Sequence, residues 1–258
     1  MKKNLSIGIA LVLTLVLLPV VLAEETITAP GVVDLTSYAT NLETAQKEEG
    51  YARTNYYLTT QIENPAAIIE YYRLYHPTED ISVLVTYYNN LRKLQSDMTI
   101  NSDFNAIIAQ ARVEEQKAGA AMYKAVKQYY TETPAIKGYI YNYRDTHTEN
   151  DGWHTTWGLA RAQTVYARTD YNVADISNTV ALAEYYTPTE TTNIATLESY
   201  ISQMESIGTS WATAVQSFDE TRASSLSSQM QSVKTQADTL ADQMWDNIFE
   251  AWRELNGP

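Results

Sequence analysis

The chain has 258 residues, a formal net charge of −13 and no cysteine. Disulfides and thiol-based nucleophilic catalysis are therefore excluded, and the fold must rest on core burial, which a chain of this length supplies. The acidity keeps the protein soluble and argues against partners that present phosphate, whether nucleic acid or anionic membrane surface.

At the N-terminus, Lys2 and Lys3 precede an apolar run from Leu5 to Leu22, broken by Pro19, and Val21-Leu22-Ala23 leaves small or modest residues at the cleavage positions. This pattern predicts a secretory signal peptide over 1–23, cut after Ala23. The rival reading is an uncleaved signal anchor, since about 18 apolar residues just span a bilayer. Cleavage would remove both lysines and leave the mature chain more acidic still.

Residues 24–33 read as an extended leader. Asp34 or Thr36 can cap a first helix. From there Leu35, Tyr38, Leu42, Ala45, Ala52 and Tyr56 keep the 3-4 spacing of a helical, coiled-coil-like seam. Asn64-Pro65 predicts an interruption and a restart, with Pro65 in a first helical turn. His76-Pro77 ends that helix, and His76 is suited to the negative end of the helix dipole. Thr78 is placed to cap the next helix, whose stripe is Ile81, Leu84, Tyr87, Leu91 and Leu94. A turn at Thr99 to Ser102 leads to a long helix from about Asp103 to Tyr130.

The chain then repeats itself. Tyr51-Ala52-Arg53-Thr54-Asn55-Tyr56 recurs as Tyr166-Ala167-Arg168-Thr169-Asp170-Tyr171, Glu70-Tyr71-Tyr72 as Glu184-Tyr185-Tyr186, and Pro77-Thr78-Glu79 as Pro188-Thr189-Glu190. The stripe Ile81, Leu84, Tyr87, Leu91, Leu94 matches Ile194, Leu197, Tyr200, Met204, Ile207, and Val126-Lys127 matches Val233-Lys234. Collinear matches of this kind predict an all-α fold of two tandem antiparallel helical bundles, duplicated over roughly 110 residues, a period longer than that of solenoids. The bundles span 34–133 and 153–258, with a linker at 134–152. In the second, Leu159, Ala162, Tyr166, Thr169, Val173, Ile176, Val180 and Ala183 run on one unbroken seam, and a last helix from about Ser210 carries Trp211, Trp245, Phe249 and Trp252. The 20 tyrosines against 3 phenylalanines suit thin bundles, where a ring is buried and its hydroxyl stays wet, and also suit a binding face.

Two groups are candidate sites. Arg53 and Arg168 occupy the same place in each repeat, beside core-like residues. They read first as buried packing elements paired with a carboxylate or a tyrosine of their own bundle, and second as ligand anchors. Asp145, His147, Glu149, Asp151 and His154 crowd a turn-rich stretch and are the candidate metal ligands, although neither an EF-hand nor a His-Glu-x-x-His spacing is met. No nucleotide loop, nucleophile elbow or acid–base pair stands out, and no cofactor is implied.

The sequence thus predicts an exported, non-enzymatic helical protein, secreted or on the cell-envelope exterior, acting through surface contacts with a protein or small-molecule partner. The alternatives are a small-ligand-binding or sensory ectodomain held by an uncleaved N-terminal segment, and a metal-binding protein at the 145–154 loop.

Overall fold

Few glycines and prolines punctuate the chain, and long stretches without such breakers favour helix. A computed structural model describes residues 35–132 and 153–256, and there all regular structure is helical. Six helices follow in order: α1 (Leu35–Tyr75), α2 (Ser82–Asp97), α3 (Phe104–Glu132), α4 (Trp153–Tyr186), α5 (Thr191–Gln216) and α6 (Glu220–Asn256). The expected signal peptide, leader and linker lie outside the described residues. Among the described residues no helix is long and apolar enough to cross a membrane.

α1 packs on α2 and α3, and α4 packs on α5 and α6. The two trios meet through α1 and α4, and among the described residues no other pair of helices connects them. In the first trio, Leu58, Ile62, Tyr87, Leu91, Ala111 and Ala118 form one core layer, and Ile68, Tyr71, Tyr72, Leu84, Ala125 and Tyr129 the next. The second trio buries Ile176, Leu197, Met204, Met230, Met244 and Ile248. Each fully buried aliphatic side chain of this kind contributes about 1.5–3 kcal/mol. Tyrosine serves the core as its chemistry suggests. The Tyr71 and Tyr72 rings are buried while their hydroxyls donate to Glu132 (3.0 Å) and Gln128 (2.7 Å) on α3.

Three local expectations are corrected. The helix does not break at Asn64-Pro65, because α1 runs through Pro65 to Tyr75. Proline forfeits one backbone bond and crowds the preceding turn. Pro65 is itself fully buried, as are Ile62, Ile68 and Tyr71 on the same helix. Thr78 does not cap α2. The helix starts four residues later, and Asp80 Oδ1 accepts the Ser82 N–H at 2.9 Å.

The last helix does not begin near Ser210. α5 continues through Gly208 and Trp211 to Gln216, and the chain turns at Ser217–Asp219. Phe218 takes a left-handed φ of 59° there, which costs a non-glycine residue roughly 1–2 kcal/mol. Its ring lies where a Cβ on Gly158 would come within 3.3 Å. Asp219 Oδ1 then accepts the Arg222 N–H (3.0 Å) at the start of α6, as Asp103 Oδ1 accepts the Ala106 N–H (3.0 Å) at the start of α3.

Candidate functional site

The repeated hexapeptides lie at the junction of α1 and α4. Each carries a small buried residue, Ala52 and Ala167. The backbones come close enough for Thr164 Oγ1 of α4 to donate to the Ala52 carbonyl at 3.2 Å, as well as to its own Ala160 carbonyl at 3.0 Å. Thr54 and Thr169, two positions on, are buried as well. Thr169 Oγ1 returns its proton to the Val165 carbonyl (2.9 Å), and its side chain sits where a Cβ on Gly208 would stand, 2.5 Å away. A glycine at 208 is thus what lets α5 approach α4.

Arg53 and Arg168 fall between these buried positions, and the expectation that they are buried is corrected. Their side chains are 65 % and 53 % exposed. The reason is helical phase. Alanine before and threonine after each arginine take the inward positions, and one residue turns the side chain about 100° away. The stem lies along the surface and the guanidinium reaches water.

Both arginines nevertheless converge on one carboxylate. Glu49 lies 4.0 Å from Arg53 within α1 and 3.7 Å from Arg168 across the helix pair. Glu49 is the least exposed of the three. Beside it, desolvation and the neighbouring charges of Glu48 and Glu205 push the Asp170 carboxyl up to about 6.

Beyond Arg168 the junction opens into a groove of about 440 Å3 between α1, α4, α5 and α6. Tyr56, Arg161, Arg168, Trp211 and Glu220 line it, over a floor that includes Val165 and Ala223. Glu220 accepts both arms of the Arg161 guanidinium, Oε2 at 2.8 Å from Nη2. That pairing holds the Glu220 carboxyl below its ordinary range. Sequence reasoning found Arg168 through the repeat. It missed Arg161, Trp211 and Glu220, which come from three helices and share no spacing.

A second polar cluster closes the far end of the first trio. His76 Nε2 is 2.6 Å from Glu132 Oε2, and the Tyr71 hydroxyl lies 3.1 Å from the same nitrogen. Gln128 Nε2 donates to Glu132 Oε1 at 3.0 Å. The His76 ring therefore bonds to α3 rather than capping the end of α1. Burial, and then the Glu132 carboxylate, push the Tyr71 hydroxyl far above its ordinary range. A phenol so disfavoured from ionising acts as a hydrogen-bond donor, and the cluster ties α1 to α3.

Of the candidate metal ligands, Asp145, His147, Glu149 and Asp151 lie outside the described residues, and His154 falls in the first turn of α4. Among the described residues no group of three or more histidine and acidic side chains is placed to hold a metal ion. No family model matches the chain, and no curated protein or solved structure is significantly similar to it.

Proposed function

We propose that this is an exported, non-enzymatic protein of two duplicated three-helix bundles, which acts at the envelope exterior or outside the cell by presenting a surface to a protein partner. The observation that carries the contact reading is a stripe on the C-terminal half of α6. Trp245, Phe249, Trp252 and Leu255 are 42 %, 51 %, 42 % and 68 % exposed, while Met244 and Ile248 beside them are buried in the core. Phe249 and Trp252 stack on each other at 5.8 Å. Large, part-exposed aromatics at helical spacing are the anchors of helix-in-groove recognition. Asp246, Glu250 and Glu254 border the stripe and are exposed. The partner surface that complements it is an apolar groove rimmed by lysine or arginine.

The duplication is supported by paired burial. Ala52 and Ala167, Thr54 and Thr169, Leu84 and Leu197, and Leu91 and Met204 are buried in both copies. On the third helices, Ala111, Ala118, Ala125 and Tyr129 line up with Met230, Ala237, Met244 and Ile248 at identical intervals. That alignment leaves Val126-Lys127 unmatched to Val233-Lys234, so this one sequence match is best read as coincidence. Under the same alignment Gly50 and Phe104 correspond to Val165 and Ala223, an exchange of large and small across one contact.

Two experiments test the proposal. Sequencing the mature N-terminus should give Glu24, and an intact Met1 would favour an anchored ectodomain instead. Cross-linking capture from native cells, with the wild-type chain beside a Trp245→Ser/Phe249→Ser/Trp252→Ser variant, should recover a partner that the variant loses. Equal recovery by a variant of unchanged circular dichroism would defeat the α6 reading.

A further inference from the structure

The first trio fills the angle between its first and third helices with a ring. Phe104 lies so close to Gly50 that a Cβ there would be 2.6 Å from Cε2. In the second trio Val165 and Ala223 pack in one core cluster, where an alanine stands in the position of Phe104, and the groove opens beside them. The apolar part of its lining comes from Val165, Val215, Ala223 and the half-buried indole of Trp211, set among hydroxyl and charged side chains. Its charged groups differ in how far they are satisfied. Arg161 is bound on both arms by Glu220. The Arg168 guanidinium has Glu49 at 3.7 Å, beyond hydrogen-bond range, and among the described residues it donates no hydrogen bond.

We infer that this groove binds a small carboxylate with a flat apolar body, the carboxylate meeting the fork of Arg168 and the body lying on Trp211. A planar guanidinium matches a carboxylate through two parallel hydrogen bonds. Apolar walls with a few placed polar groups are the usual form of a small-ligand site, and the groove falls in the usual size range for one. Inorganic phosphate fits less well, because it has no apolar part to bury and the Glu220 carboxylate stands on the rim against a second negative charge. This goes beyond the contact reading of α6 and does not depend on which partner that helix meets.

The test is calorimetric titration of the full chain with 4-phenylbutanoate, its neutral amide and inorganic phosphate. Saturable one-to-one binding of the carboxylate is expected, with the amide weaker by about tenfold or more, the usual worth of a charge-assisted pair. Arg168→Met should weaken the carboxylate by a similar factor and leave the amide unchanged. Ala223→Phe, which sets a ring where the first trio has one, should abolish binding of both. Absence of saturable carboxylate binding, equal binding of carboxylate and amide, tighter binding of phosphate, or wild-type affinity in Arg168→Met would each overturn the assignment. Because Arg168 is exposed, that variant keeps the test valid even if Ala223→Phe fails to fold.

Discussion

Glu49 of α1 and Arg168 of α4 stand 3.7 Å apart across the junction of the two trios, and the same Glu49 lies 4.0 Å from Arg53 on its own helix. One carboxylate thus faces the two arginines that the sequence repeats. Two residues before Tyr166, as Glu49 is two before Tyr51, stands Thr164, which bonds the Ala52 carbonyl instead. Glu49 is half-buried, but each guanidinium stands largely in water and beyond hydrogen-bond range, so each pair contributes little, about 0–1 kcal/mol. Arg53→Met and Arg168→Met should therefore each change stability by less than about 1 kcal/mol, and a double-mutant cycle of Glu49→Gln with Arg168→Met should show a coupling below about 1 kcal/mol. Denaturant unfolding measures both. A coupling of several kcal/mol would mean that the pair is desolvated in solution.

Gly208 and Gly119 make opposite predictions for the same substitution. A Cβ at 208 would meet Thr169 at 2.5 Å, and that threonine is buried with its hydroxyl bonded. Gly208→Ala should push α5 from α4 and cost roughly 2 kcal/mol or more. A Cβ at 119 meets nothing within 4 Å. Gly119→Ala should gain about 0.5–1 kcal/mol from the lower entropy of the unfolded chain. Thermal melts of the two variants should move in opposite directions from wild type.

The Asp170 carboxyl, raised to about 6 by desolvation and by Glu48 and Glu205, makes stability depend on pH. Between about pH 4 and 6 the folded chain holds a proton there that the unfolded chain has lost. This group's contribution therefore falls as pH rises through that window and stays unfavourable above it. Because the side chain is partly solvated, the effect is of order 1 kcal/mol. Asp170→Asn should be more stable than wild type at pH 7.5 and equal to it near pH 4. Urea midpoints at the two pH values decide this, and a variant less stable at pH 7.5 would show that Asp170 is ionised without strain.

If Val165 and Ala223 exchange roles with Gly50 and Phe104, the exchange should be reversible as a pair. Ala223→Phe alone should cost about 1–3 kcal/mol through overpacking, and Val165→Gly alone should cost a similar amount. Together they should recover at least about 1 kcal/mol of the summed loss, since the ring gains the space that a glycine leaves. Costs that add within about 0.5 kcal/mol would mean that the two sites do not share a contact.

The helical class and most of its seams were legible in the sequence, because burial on a helix writes a 3-4 spacing that needs no knowledge of the partner. Leu84, Leu91, Leu197 and Met204 were placed on inward faces by that spacing alone, and they are buried. The repeat of Tyr51–Tyr56 at Tyr166–Tyr171 was visible as well, but not that the two hexapeptides lie where the trios meet. Boundaries were less legible. Pro65 carries a local signal to break, yet it lies buried within α1, which runs on to Tyr75. The turn at Phe218 has no glycine to announce it and exists because the two helices on either side are packed. The environments of Arg53 and Arg168 were misread for a related reason. A one-residue phase difference separates Ala52 from Arg53, and whether a flanking residue faces inward depends on where the second helix lies. The groove beside Arg168 was beyond sequence altogether: its lining comes from four helices, and the distances that make it a site arise only when α1, α4, α5 and α6 are brought together.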